Sequence, residues 1–323
     1  MYPREKALQP VSSLAIGGYL VAGAVLLFLG GDSVVRGGSK LARLWGISPL
    51  VVGLTIIAFG TSLPELLVSL MAALRGKEAI AIGNVIGSNI ANVGLILGLS
   101  ATLFVIVISA KRIKKDLNYL LAVSVLFSIM LFDGEIQRWE GIALFGGIII
   151  YSSYCIITGR EKKSDDGNNG SILGNLFIIS IGIGALTGGA HLFVEGATGL
   201  AERIAGKNIE MAIGLTVAAY GTSLPELATS LVAAYKKESE ISLGNIIGSN
   251  MFNILAVIGL VSAISPMKVD PSVIHFEIPV MLLYVLMLYP LLRKTSIPRI
   301  YAFLMLSGYI AFIVFVFIRA LSS

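Results

Sequence analysis

The sequence predicts an all-α polytopic membrane protein: ten transmembrane helices arranged as two inverted five-helix repeats, with helices 2 and 7 broken. Three observations predict it. Hydrophobic residues make up 56% of the 323 residues and charged residues 13%, against roughly 25% charged in soluble domains. Windows of about 20 apolar residues, enough to cross a bilayer, recur at 12–35, 47–74, 79–110, 117–133, 138–158, 172–201, 209–235, 240–265, 272–292 and 297–319. Finally, a long motif is written twice at an offset of 161 residues: GLTIIAFGTSLPELLVSL with GNVIGSNIANVG, then GLTVAAYGTSLPELATSL with GNIIGSNMFNIL.

The first window is too long for a signal-peptide core and no small-residue cleavage site follows it, so it is read as a retained helix. Cys155 is the single cysteine, which excludes an intrachain disulfide. The net charge of +5 does not point to nucleic acid, because the basic residues fall in the loops between apolar windows. Fifteen of the 24 Lys and Arg residues lie in loops after odd-numbered spans. The positive-inside rule then places those loops in the cytoplasm and both termini outside, in a multi-pass protein of the plasma membrane.

The polar stretch GREKKSDDGNNGS at 159–171 divides the chain. An N-terminal five-helix repeat is expected over 1–158, a short cytoplasmic linker over 159–171 and a C-terminal five-helix repeat over 172–323, with the repeated motifs at 53–100 and 214–261. Five is odd, so the second half enters the membrane with the opposite sense, the inverted-repeat plan of many secondary transporters. The first span of each half matches more weakly: SVVRGGSKLAR (33–43) resembles LFVEGATGLAER (192–203) at an offset near 159. Asp32 then falls opposite His191, and Arg36 opposite Glu195. These four are read as ion-pairing groups at helix ends or between helices, without a ligand role.

The chemistry lies in the motifs. On a helix Ala58, Thr61 and Glu65 share a face. Pro64 has no N–H to donate and clashes with the carbonyl of Gly60. The expectation is a break at mid-membrane that releases carbonyl oxygens around Ala58 to Thr61. Such backbone is tolerated at depth only where it lines a cavity or binds something. The second copy repeats this with Ala219, Thr222, Glu226 and Pro225. In the partner motif Ser88 and Asn92 are four apart and face one way, as do Ser249 and Asn253. Gly83, Gly87, Gly94, Gly244 and Gly248 permit close helix approach. Asn84, Asn89, Asn245 and Asn250 are read as interhelical hydrogen-bonding groups. All donors on offer are hard oxygens, suited to Ca2+, Mg2+ or Na+, and neither motif holds Cys or His. Ionised and unpaired at the bilayer centre, Glu65 and Glu226 would each cost roughly 2.5–3.5 kcal/mol. Facing each other they also repel unless a cation lies between them.

The doubled GTSLPE and doubled GNxxGSN closely resemble the α-repeats of the cation/calcium exchanger superfamily, and within it the sodium/calcium exchanger branch, especially its compact prokaryotic members. The resemblance covers almost the whole chain. It implies that Glu65 and Glu226 ligate Ca2+ together with the backbone carbonyls of Thr61 and Thr222. It implies sodium sites at the carbonyls of Ala58 and Ala219 and the hydroxyls of Thr61, Ser62, Thr222, Ser223, Ser88 and Ser249. Asn92 and Asn253 would line the centre. Some relatives carry an aspartate at the position of Asn253; its absence here leaves two carboxylates and weighs against potassium cotransport.

The expected function is therefore antiport of Na+ against Ca2+ by alternating access, electrogenic if the sodium load exceeds the two charges of Ca2+, and not an enzyme. Both ions need the same two glutamates, and an empty site of charge −2 resists passage through an apolar gate. That favours exchange over leak. Spans 1 and 6 are expected to slide over a ligand-bearing core of spans 2, 3, 7 and 8. No cofactor is implied, the partners are the two ions and the bilayer, and a monomer suffices because both halves of the site lie in one chain. The linker is too short for a cytoplasmic calcium-sensing domain. The alternatives are a proton/calcium antiporter, whose acidic motifs are generally spelled differently, or a carrier of another divalent cation such as Mn2+ or Mg2+. From other classes come a cation channel, disfavoured by the inverted repeats, and an intramembrane hydrolase, for which no nucleophile–base pair is visible.

Overall fold

The structure is a computed structural model, described here over residues 13–161, 171–205 and 221–322. Eleven helices carry it. In the first half these are α1 (Ser13–Trp45), α2 (Pro49–Thr61), α3 (Leu63–Leu74), α4 (Glu78–Leu103), α5 (Ala110–Met130) and α6 (Arg138–Thr158). In the second they are α7 (Ile172–Ala205), α8 (Leu224–Tyr235), α9 (Ser239–Ile264), α10 (Val273–Arg293) and α11 (Arg299–Ser322). Among the described residues, eight helices are long and apolar enough to cross a membrane, and α2 with α3 makes a ninth bent by 43°. The seventh window of the sequence, 209–235, is described only from Gly221 onward.

Local chemistry sets the helix ends. Ser48 caps α2, its hydroxyl accepting from the Val51 N–H, with Pro49 in the first turn where no N–H is needed. Gln137 and Glu140 form a reciprocal capping box at the start of α6. Two helices run seven or more residues beyond their apolar windows. Helix α1 continues ten residues past 35, through the glycine- and serine-rich RGGSKLAR, because that stretch packs on other helices. Helix α5 begins at Ala110, seven residues before its window, because Arg112 is held by Glu161 at 2.9 Å and Glu240 at 2.7 Å.

The loops sort by end. Ile47 bridges to Arg160 and Val107 to Ser296, and the Val107 N–H donates to Ser239 Oγ at 3.1 Å. These are loops after odd-numbered spans, gathered at one end. At the other end strand β1 (Glu135–Ile136) pairs antiparallel with β2 (Met267–Lys268), in the register Glu135↔Lys268 and Ile136↔Met267.

Helices α4 and α9 form the centre: 78% and 89% of their apolar windows are buried, against 39% or less for the other helices long enough to span. Small residues let α9 press on α2. A Cβ at Gly244 would lie 2.5 Å from the Leu50 carbonyl oxygen and 3.0 Å from Gly53 Cα, and one at Gly248 2.6 Å from the Leu54 carbonyl oxygen. The Gly244→Ala variant is therefore expected to lower stability. Overpacking costs about 1–3 kcal/mol, which exceeds the roughly 1 kcal/mol of helix propensity gained. Thermal unfolding of the purified protein in detergent checks this; a melting temperature equal to wild type would mean that the contact yields freely. The counterpart of α2 in the second motif copy is described only from Gly221 onward.

Candidate cation site

Of the twelve residues singled out as cation ligands from the sequence, Ala219 lies outside the described residues. The other eleven are buried, none more than 7% exposed. They come from α2, α3, α4, α8, α9 and the turns that precede α3 and α8.

The break in the first motif falls at Ser62 (φ −86°, ψ 6°), and Ser223 has nearly the same backbone (φ −85°, ψ 2°) before α8. Pro64 and Pro225 are the second residues of the helices that follow. This corrects only the position of the expected break, which falls at the serine and not at the proline: each proline starts a helix, where its fixed φ is favourable. A second correction concerns the released carbonyls. The Ala58 carbonyl accepts from the Ser62 N–H at 3.0 Å, so the helical bond is kept there and one lone pair of that oxygen is left.

The two motifs brace each other. Ser62 Oγ donates to Glu226 Oε1 at 3.0 Å, and Ser223 Oγ lies 3.2 Å from Glu65 Oε1 and 3.1 Å from Ser88 Oγ. Each serine thus reaches the glutamate of the opposite copy. Thr61 Oγ1 donates to Asn245 Oδ1 at 3.1 Å, and Thr222 Oγ1 to Asn84 Oδ1 at 3.3 Å. Those asparagines in turn donate to the Glu226 carbonyl (3.4 Å) and Ser230 Oγ (3.0 Å), and to the Glu65 carbonyl (3.2 Å) and Ser69 Oγ (3.0 Å).

Asn92 and Asn253 each open a stretch of wider i→i+5 turns, Asn92–Leu97 and Asn253–Ile258, a distortion found mostly at functional sites. Asn92 Nδ2 donates to Asn250 Oδ1 at 2.8 Å, and Asn253 Nδ2 to Asn89 Oδ1 at 3.0 Å. Five oxygens of the candidate set are buried with no hydrogen-bond partner among the described residues: Glu65 Oε2, Glu226 Oε2, Asn92 Oδ1, Asn253 Oδ1 and Ser249 Oγ. Buried polar atoms without partners are costly. Four of these five come as pairs related by the 161-residue offset, so they are a built feature rather than scattered defects. Two carboxylate oxygens, two amide oxygens and a hydroxyl are hard donors that fit Ca2+ or Na+. Among the described residues no group of three or more His, Cys, Asp or Glu side chains gathers elsewhere.

Ser69, Ser230, Asn84, Asn245, Asn89 and Asn250 complete the cluster without being singled out as ligands. The signal for them was in the sequence, since each pair keeps the 161-residue offset. Asp32, Arg36, His191 and Glu195 stand apart from the cluster: Asp32 pairs with Arg36 and with Lys236, and His191 Nε2 lies 3.3 Å from Glu195 Oε1 on α7.

The sodium/calcium exchanger protein family matches residues 16–157 and 174–318. The sodium/calcium exchanger MaX1 of Methanosarcina acetivorans is 32% identical over 342 aligned positions, covering 92% of this chain and 97% of MaX1. The inner membrane protein YrbG of Escherichia coli is 36% identical over 276 positions, covering 82% of this chain and 84% of YrbG. Among solved structures, the sodium-calcium exchanger NCX_Mj soaked with 10 mM Na+ and zero Ca2+ superposes with a TM-score of 0.83 at 34% identity, over 94% of this chain and 99% of that one. Fold, buried oxygen cluster and relatives together define a multi-helix membrane antiporter. The chain belongs to the sodium/calcium exchanger protein family.

Proposed function

We propose that this protein exchanges Na+ for Ca2+ across the plasma membrane by alternating access, with Glu65 and Glu226 as ligands shared by the two ions. The observation that carries the reading is the set of five orphaned oxygens, drawn from both motif copies and framed by the crossed serine–glutamate bonds. One Ca2+ cancels the charge of two carboxylates. Sodium ions can do so when spread over the carboxylates, the hydroxyls of Thr61, Ser62, Ser88, Thr222, Ser223 and Ser249, and the carbonyls of Ala58 and Ala219. Because both ions need the glutamates, they exclude each other, and exchange follows from that competition. A sodium load of more than two charges makes the cycle electrogenic. The two halves, 1–158 and 172–323, act as inverted repeats joined by the 159–171 linker, with the odd loops in the cytoplasm and both termini outside. One chain holds the whole site.

Proteoliposomes loaded with Na+ are expected to take up Ca2+, with matched K+-loaded vesicles taking up little. A membrane potential should change the rate if the cycle is electrogenic. Equal uptake driven by a pH gradient in the absence of Na+ would move the protein to proton-coupled exchange and remove the sodium assignments. Flux that neither saturates nor needs a counter-ion would indicate a channel.

A further inference from the structure

The two motif copies match in sequence, but their surroundings differ at the two ends of the molecule. At one end α1 covers α8: a Cβ at Gly31 would lie 3.2 Å from both the Ala228 carbonyl oxygen and Val232 Cγ2. Thr229 and Val232 are 0% and 5% exposed. The residues 161 positions earlier on α3, Val68 and Met71, are 39% and 48% exposed. One end is therefore closed by its sliding helix and the other is uncovered.

The closed end carries an ion-pair cluster. Asp32 of α1 is bonded to Lys236, the residue just after α8, and to Arg36 at 2.7 Å; its side chain is 15% exposed and that of Lys236 23%. One to two turns further along α1, Ser39 Oγ donates to Glu238 Oε1 at 3.1 Å. At the offsets of the repeats the partners of Asp32 and Lys236 are His191 and Arg75, and those of Ser39 and Glu238 are Thr198 and Lys77. His191 and Glu195 pair within α7 at 3.3 Å and stay largely exposed. Among the described residues Arg75 makes no ion pair.

We propose that Asp32 and Lys236 form a latch that holds the α1–α8 end closed, and that the mismatched His191 and Arg75 leave the opposite end without an equivalent latch. The inference rests on the alternating-access reading. An inverted-repeat carrier passes between two states in which the repeats exchange roles. In the second state α7 would close over α3, bringing His191, not a carboxylate, toward Arg75, and Thr198, not a partner for an acid, toward Lys77. Both attractive contacts of the present state are lost and neither is replaced in kind. The difference biases the carrier toward the state described here, since an equilibrium follows the differential interactions of its two states.

The test reads conformation and not transport. Val232→Cys and Met71→Cys are repeat-related reporters, placed singly in a Cys155→Ser background and labelled with a polar maleimide in Na+- and Ca2+-free detergent. Without further change Met71→Cys is expected to label faster. Adding Lys236→Gln should raise the rate at Val232→Cys and lower it at Met71→Cys, changing their ratio by about two- to thirty-fold, the span that one member of a two-state network commands. Lys236→Arg should restore the original ratio. His191→Asp, at an exposed position, should shift both rates in the same direction as Lys236→Gln by supplying the missing carboxylate to the other state. Unchanged rates in Lys236→Gln and His191→Asp would overturn the latch, and so would a rise at both reporters, which signals loosening without exchange of ends. A protein that fails to couple Ca2+ to Na+ but shows the opposed labelling shifts would lose the proposed substrates and keep the latch.

Discussion

Glu226→Gln is expected to abolish Na+-driven Ca2+ uptake in proteoliposomes while leaving a folded, monodisperse protein, and Glu65→Gln to do the same. The substitution keeps the shape of the side chain and an oxygen able to accept from Ser62 Oγ, the bond made at 3.0 Å by Glu226 Oε1. What it removes is one of the two negative charges and, at Oε2, an acceptor with no other partner among the described residues. Taking away one member of a buried charge cluster costs about 3–5 kcal/mol, which exceeds a hundredfold in cation affinity at about 1.4 kcal/mol per decade. Calorimetric titration of Ca2+ into the detergent-purified variant separates binding from turnover. Affinity within tenfold of wild type in both variants would mean that the carboxylates do not hold the ion, and would dismantle the proposed site. The fold should survive, because the glutamates face each other across the repeats and their neutral forms relieve repulsion instead of breaking a salt bridge.

The fold was legible because a bilayer simplifies the problem: length and apolarity mark a span, and the 161-residue offset marks its counterpart. Helical spans stand over nine of the ten windows, with α2 and α3 sharing one, and the described part of the remaining window is α8. The misread ends have local causes. The RGGSKLAR end of α1 looks like a loop by polarity, yet Ser39, and Asp32 just before that stretch, are occupied by Glu238 and Lys236 in the turn between α8 and α9. Those partners are about 200 positions away in the chain and invisible to a window. The cluster of Glu65, Glu226, Ser62, Ser88 and Ser223 was also legible, because polar groups repeated inside apolar sequence must be explained. The chemistry of Pro64 announced a break but not its seat, because proline suits a helix start as well as a helix break, and only the backbone of Ser62 and Ser223 decides between them. That the asparagines bond between helices was legible, but not which face of each amide does so. An amide donates from one side and accepts at the other, and which side faces the cavity depends on partners in the opposite repeat.

That dependence leads to the second large effect. Asn250→Ala is expected to weaken apparent Ca2+ and Na+ affinity by about tenfold, whereas Asn250→Asp stays near wild type. In a planar amide, fixing the nitrogen fixes the oxygen. Asn92 Nδ2 is held by Asn250 Oδ1 at 2.8 Å, and this leaves Asn92 Oδ1 as a buried acceptor with no partner among the described residues. Without Asn250 the amide of Asn92 can turn and present N–H groups where a cation needs an oxygen. The lost bond itself is worth about 0.5–1.5 kcal/mol, and replacing an attractive dipole with a repulsive one brings the total to the tenfold scale. Aspartate distinguishes orientation from packing. It retains the acceptor that Asn92 needs, and the donor it lacks is Asn250 Nδ2, which has no hydrogen-bond partner among the described residues. Its added negative charge also favours a cation nearby. Equal losses in the alanine and aspartate variants would reduce Asn250 to a packing residue. The repeat supplies an internal control at Asn89, whose Oδ1 accepts from Asn253 Nδ2 at 3.0 Å but whose own Nδ2 reaches the Asn250 carbonyl at 3.4 Å. Asn89→Asp sacrifices that donor, so it should be tolerated less well than Asn250→Asp, and the ordering of the two aspartates is the sharpest reading of which amide face each asparagine uses.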